Sequence, residues 1–418
     1  MLLLVLSFLL NVNEVYVAEL SGVISPASSA YLLRAIENSE LGNATCLIIK
    51  LDTPGGLDES MREITKRILN AKIPIVVYVA PKGARAASAG VFILYSSNIA
   101  AMAPGTNVGA AHPVSMGSEK MDSVMLGKVT NDAVAYLISL AKIRGRNITW
   151  AEKAVRESAS IDAETAQKLE VCEIIAEDVQ DLVAKLNGRV VQVEGRPINL
   201  LTASEPIKEM PMTLREKLLL LLTNPNIAYI LLLLGIYGLF FELQNPGMIF
   251  PGVVGGICLI LGFYALHVLP VNYAGVALIF LSAIFFALEI NLTSHGLLTI
   301  GGIISLVMGS LILFESNMPF FRVSWEVIMA VVIVIVAFVT FLVVLGIRAQ
   351  YKKPASGKEG IVGEKGIAKT DINNKGGTIF VSGEFWNAIS DELIKKGSEI
   401  KVVGVEAMVL KVALVDSN

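Results

Sequence analysis

Residues 46–57 read CLIIKLDTPGGL, and residues 75–96 read IVVYVAPKGARAASAGVFILYS. Each opens with a short, nearly unbroken apolar run, the mark of a strand covered on both faces, and then breaks into small and glycine-rich turn residues. The first turn leads into a helical segment at 59–70, the second into an apolar helix-like run at 91–95. Outward from this pair, residues 15–24 read as another strand and 28–38 as another helix, so that strand and helix alternate. That alternation predicts a parallel sheet with right-handed crossovers over residues 14–188. Such sheets meet their ligands at the carboxyl edge, where both glycine turns open.

The 418-residue length leaves room for two to three domains. Charged residues make up only 17% of the chain and hydrophobic ones 54%, against about 25% charged in an ordinary soluble domain. The 34 basic and 37 acidic side chains leave a net charge of −3, which excludes a strongly basic field for nucleic acid. Cys46, Cys172 and Cys258 lie far apart, show no metal-ligand spacing and are odd in number, which argues against a disulfide framework.

The apolar surplus is concentrated. Between residues 218 and 347 the only charges are Glu242, Glu289, Glu315, Arg322 and Glu326. The uncharged runs predict five membrane spans, at 227–241, 250–266, 275–288, 296–314 and 327–347, a span needing roughly 20 helical residues for about 30 Å of hydrocarbon. A soluble bundle would need wet faces that these runs lack. Glu242, Glu289, Asn291, His267 and His295 mostly fall near span ends, where the interface hydrates them, and are read as such rather than as a pathway or metal site. The run at 1–10 has the length of a signal-peptide core, too short to cross alone; without a basic leader it also fits an uncleaved anchor. Arg348, Lys352, Lys353 and Lys358 crowd the end of the last span and place that end in the cytoplasm. Five spans then leave everything before residue 218 outside. Residues 206–217 read as a linker with an interfacial helix, and the β-rich stretches 366–372, 377–381 and 399–415 predict a small cytoplasmic β-barrel.

Chemistry is sought at the two glycine turns. Paired glycines at 55 and 56 let backbone N–H groups approach a ligand oxygen with no Cβ in the way, although Pro-Gly-Gly is also plain turn chemistry. Ser88, flanked by small residues just before a helix, has little steric cover and lies beside helix amides that stabilise negative charge. Alone it reads as a helix cap, but two such turns on neighbouring strands shift the balance toward a site. A serine nucleophile requires a base. Lys128, in GKVTND (127–132), begins a helix running to 144 and serves if burial lowers its pKa; its ordinary reading is a solvated lysine. His112, in GAAHP (109–113), needs no such shift; its ordinary reading is a structural side chain before proline. The residues alone leave both open.

Taken together and in this order, DTPGG (52–56), GARAASAG (83–90), AMAPGTNVGAAHP (101–113) and KVTND (128–132) resemble the long-form NfeD membrane proteases, ClpP-class serine peptidases related to signal peptide peptidase A. The likeness covers nearly the whole chain. It implies a multidomain protein: an α/β ClpP/crotonase-like protease domain, an α-helical transmembrane bundle and a small all-β OB-fold-like C-terminal domain. The division it implies is 1–12 signal peptide or anchor, 13–200 protease domain, 201–226 linker and interfacial helix, 227–347 transmembrane region and 348–418 cytoplasmic barrel. The resemblance makes Ser88 the nucleophile, Lys128 its general base and the amides of Gly56 and Ala89 the oxyanion hole, with no cofactor and no metal. His112 stands as the rival base because it sits where soluble ClpP peptidases place a catalytic histidine. No acid completes a triad, Ser158 and Ser160 occupying that stretch. The implied activity is a membrane-anchored serine endopeptidase that cleaves hydrophobic or membrane-proximal segments, including those of a stomatin-type partner, as a dimer or larger assembly. The alternative is a non-catalytic membrane scaffold for stomatin- or flotillin-like proteins. A crotonase-type site for a thioester oxygen is a third reading, weakened because an exported domain meets little acyl-CoA.

Overall fold

The computed structural model describes residues 14–114, 122–244, 247–292, 294, 296–314, 321–350 and 358–415. The leader at 1–12, His295, Glu315, Lys352 and Lys353 lie outside the described residues.

The first part of the chain builds β1 (Val15–Ser21), α1 (Pro26–Leu41), β2 (Cys46–Asp52), α2 (Asp58–Leu69) and β3 (Ile75–Val79). Ser25 starts α1 with a reciprocal capping box to Ser28, and Pro26 stands at the position that tolerates a missing N–H. Next come β4 (Arg85–Ala87), α3 (Ala89–Ser96), β5 (Ile99–Met102), β6 (Asn107–Gly109), α4 (Ser123–Arg144) and α5 (Ile148–Arg156). The domain is completed by β7 (Ser160–Asp162), α6 (Ala163–Lys168), β8 (Ile174–Ile175), α7 (Val179–Leu186), β9 (Val190–Val193), β10 (Arg196–Asn199) and β11 (Ile207–Glu209).

Six of these strands form one parallel sheet in the order β11-β1-β2-β3-β5-β8. Its two faces are both covered, which is why β2 and β3 read as apolar runs. Leu47, Ile49, Leu51, Val77 and Val79 face a core shared with α1 to α5, while Ile48, Val76 and Tyr78 face one shared with α7, β9 and β10. Each such side chain, fully removed from water, contributes about 1.5–3 kcal/mol. A second sheet, β4-β6-β7, stands beside the first and carries the chain into α3. The segment expected as a linker contributes more than a connection: Ile207–Glu209 pairs with β1 as the edge strand β11, and the helix after it, α8 (Leu214–Leu222), begins only at Leu214.

α8 is tied back to the α/β domain. Thr213 and Glu216 form a capping box, the Glu216 carboxylate accepts both Nε and Nη2 of Arg34 on α1, at 2.6 and 2.8 Å, and Tyr31 donates to the Met210 carbonyl. The apolar zone then forms α9 (Pro225–Gln244), α10 (Ile249–Val268), α11 (Tyr273–Asn291), α12 (Leu297–Leu313) and α13 (Trp325–Gln350). At 20 residues each, α9 and α10 match the hydrocarbon thickness. Glycines let these helices close on one another: a Cβ on Gly235 would lie 2.8 Å from the Leu259 backbone, and one on Gly275 would lie 2.6 Å from Leu313 Cα. The Tyr229–Ser310 and Tyr237–Ser282 hydroxyl pairs join α9 to α12 and α11. Glu289 caps α12, accepting from Ser294 Oγ and from the amides of Gly296 and Thr299, in keeping with its reading as a span-end residue. α4 is also long and apolar enough to cross a membrane, yet Tyr136 on it stacks on Phe92 and its inner face fills the α/β core.

The C-terminal unit is a closed barrel in the order β12 (Lys365–Ala368), β13 (Gly377–Val381), β14 (Glu384–Ile389), β16 (Val409–Leu414), β15 (Glu399–Glu406). Ile379, Val381, Ala388, Ile400, Val402, Leu410 and Val412 fill it. Sequence reading finds β12 and β13 but runs β15 and β16 together and misses β14, whose exposed Glu384 and Asn387 interrupt the apolar run.

Candidate active site

β2 ends at Asp52, and the turn after it is locked to β4. Thr53 N–H donates to Arg85 O at 2.8 Å, Ala87 N–H donates to Thr53 O at 3.0 Å, and the Asp52 carboxylate accepts the Arg85 amide. Inside the turn the Gly55 amide donates to Thr53 Oγ1. Gly55 has φ +116°, and a Cβ there would lie 2.6 Å from Ser88 Cβ and 3.1 Å from Ser88 Oγ. Gly56 is packed as closely on another segment, since its Cβ would stand 2.1 Å from the Ile24 carbonyl oxygen, between the Ile24–Gly55 and Leu57–Ile24 backbone bonds. The two glycines therefore let the turn be pressed between residue 24 and Ser88.

Ser88 occupies the N-cap position of α3, but with φ +52° and no capping hydrogen bond from its side chain. Positive φ is costly for a residue with a Cβ and persists only where surrounding contacts impose it. Here those contacts include Ser88 N–H donating to Gly109 O at 3.0 Å and the pairing of Ala87 with Gly109. A hydroxyl released from capping, half-buried beside a helix N-terminus, is free for other chemistry. Among the described residues, neither the Gly56 nor the Ala89 amide donates to a backbone carbonyl of the surrounding turns. Both cysteines of this domain are unsuited to nucleophilic work, burial pushing the Cys46 and Cys172 thiols up to about 12.

The structure thus brings Ser88, Ala89 and the Gly55–Gly56 turn together. It does not join Lys128 to them within one chain. Lys128 is exposed in the second turn of α4, whose buried residues begin at Thr130, and its ammonium makes no hydrogen bond or ion pair among the described residues. From Asp132 onward α4 is anchored, by Asp132 to Arg62 on α2 and by Tyr136 to Thr65, Arg62 and Phe92. The dehydration a lysine base requires is not supplied by these residues. His112 lies three residues beyond Gly109 on the strand beside Ser88, half-buried, with Nδ1 2.9 Å from the Val155 carbonyl. A carbonyl only accepts, so Nδ1–H donates in this contact and Nε2 takes no part in it. The 158–160 stretch is structural: Ser160 pairs with Gly109 and its hydroxyl donates to Val108 O. A cavity of about 560 Å³ lined by Val17, Lys50, Tyr78, Glu177 and Glu209 lies on the face of the sheet away from α3 and takes no part in this arrangement.

Three family models match the chain: the NfeD1b N-terminal domain over residues 14–195, the NfeD integral membrane domain over 226–345 and the NfeD-like C-terminal, partner-binding domain over 358–413. The membrane-bound protease PH1510 of Pyrococcus horikoshii is 36% identical over 98% of this chain and 95% of its own. The membrane protein NfeD1b of Bacillus subtilis is 28% identical over 94% of this chain and 91% of its own. Among solved structures, the membrane-bound stomatin-specific protease 1510-N, a lysine-to-alanine mutant in complex with a substrate peptide, is 37% identical, covers 50% of this chain and 97% of that one, and has a TM-score of 0.48.

Proposed function

Because this chain belongs to the NfeD family of membrane-bound serine proteases, we propose that Ser88 is its nucleophile and Lys128 the general base, with the amides of Gly56 and Ala89 forming the oxyanion hole. The reading is carried by one observation: a serine at a helix start, held at positive φ against Gly55, whose hydroxyl does not cap the helix. Ser88 Oγ attacks the scissile carbonyl as the base takes its proton. The carbonyl oxygen then carries negative charge between the two amides, where fixed dipoles stabilise it without reorganising. The base returns the proton to the leaving amine, and water releases the acyl group by the same route.

Lys128 needs a cover that one chain does not give it. A second copy of the protein lying over the exposed second turn of α4, or the substrate itself, supplies that dehydration, and the active form is proposed to be a dimer or larger assembly. The substrate is proposed to be an apolar or membrane-proximal segment of a stomatin-type protein, as the name of the solved relative describes for that enzyme. Tethering to the bilayer raises the effective concentration of such segments. The proposed topology has the α/β domain outside and the barrel in the cytoplasm, and the proposed domains are 1–12, 13–200, 201–226, 227–347 and 348–418, with β11 reaching into the third.

The base is tested by cleavage of an apolar peptide with the full-length protein in detergent. Lys128→Ala is expected to lower kcat by about 10³-fold or more while His112→Ala retains most activity. An active Lys128→Ala beside an inactive His112→Ala would replace the dyad with a Ser-His arrangement.

A further inference from the structure

α3 is an eight-residue helix, AGVFILYS, whose every residue is buried and none of which is charged. Along its flank, Phe92 stacks on Tyr136, Tyr95 stacks on Trp150, and the Tyr95 hydroxyl donates to the Asn147 carbonyl. Its ends add hydrogen bonds to the helix backbone itself. At the N-terminus stand Ser88 and the Gly109 carbonyl already described. At the C-terminus the last carbonyls are taken by Arg144, which ends α4, and by Arg146 just beyond it, with Leu94 O shared with the Ser97 amide and hydroxyl. Arg146 Nη1 donates to Leu94 O at 3.1 Å and to Tyr95 O at 2.9 Å, and Arg144 Nε donates to Ser96 O at 2.8 Å. Cations there also complement the negative end of the helix.

The Arg146 guanidinium is 1% exposed in its side chain and is itself held. Glu173 accepts its Nε at 2.8 Å and its Nη2 at 3.0 Å, and the same carboxylate accepts the amide of Ala100 on β5, while the Glu173 amide donates back to the Ala100 carbonyl. The line therefore runs from the main sheet, through Glu173 and Arg146, to the C-terminal end of the helix that begins at Ser88. A helix gripped at both ends cannot shift to relax the residue at its start. Resting on the reading of Ser88 as nucleophile, we propose that Arg146, locked by Glu173, is a positioning residue that keeps Ser88 in its strained, reactive conformation. It acts through α3 and touches no reacting atom.

The test uses the full-length protein with Arg146→Lys, which keeps the charge but loses the two-pronged fork, and Glu173→Gln, which keeps the acceptor for Ala100. Folding is checked by thermal melting, and kcat, KM and the rate of Ser88 labelling by a fluorophosphonate are measured well below the midpoint. The expected result for folded Arg146→Lys is a kcat lower by about 10- to 100-fold, a labelling rate reduced in step, and a KM within about twofold of wild type. Glu173→Gln is expected to change the same quantities in the same direction by about tenfold or less, and it carries the test if the lysine variant does not fold. A purely structural clamp would lower the melting temperature and leave kcat and labelling unchanged, and that result overturns the proposal. Ser88→Ala separates the two readings: if it cleaves like wild type, the nucleophile assignment fails, and the role given to Arg146 falls with it.

Discussion

One backbone angle separates Ser88 from an ordinary helix cap. At φ +52° its side chain is withheld from the helix amides, and Gly55 closes against it without a Cβ. Gly55→Ala introduces a side-chain atom 2.6 Å from Ser88 Cβ at a φ that disfavours L-residues, so Ser88 must give way. The expected outcome is a folded protein, less stable by about 1–3 kcal/mol, with kcat reduced by about 100-fold, as steady-state cleavage and thermal melting would measure. Part of this was legible in the sequence, because paired glycines after an apolar strand and a serine among alanines are local signals. The conformation of Ser88 was not, since it depends on Gly109 and Gly55, which lie far from it in sequence. Nor was Arg146, one arginine among many until the fold brings Glu173 to it across 27 positions.

At the scale of elements, β2 and β3 have the boundaries their composition predicts, because a strand buried on both faces is apolar throughout and ends where polar or turn residues begin. β11 escaped notice for the opposite reason: Ile207, Lys208 and Glu209 are all exposed, so an edge strand carries no burial pattern. Its consequence is mechanical, since it draws the chain leading to α8 along the α/β domain, where the Arg34–Glu216 pair fastens it. Burial works against the Glu216 charge, but hydrogen bonds from Arg34 and Thr213 outweigh it and hold the carboxyl below the usual glutamate range. A depressed folded value means that the stabilisation is present above the ordinary glutamate range and is lost as pH falls through the folded value. Arg34→Ala should cost about 1–3 kcal/mol near neutral pH and flatten that acid limb, with faster amide exchange in residues 211–222 as the readout.

For the whole molecule, the membrane zone was the most legible feature, because about 130 residues with five charges leave few soluble solutions. Its glycine seams were not, since which helices close on one another is a tertiary matter. The proposed sidedness predicts that single cysteines placed at exposed Lys82 and Lys401 react with an impermeant maleimide from opposite sides of sealed vesicles; labelling of both from one side would refute it. The central claim is that Ser88 breaks peptide bonds from the edge of an exported sheet. Its most direct measurement is cleavage of an apolar stomatin-type peptide by full-length wild type and Ser88→Ala side by side, with matched melting temperatures. The account predicts a loss on the order of 10³-fold or more for the variant, and equal cleavage by the two proteins would contradict it.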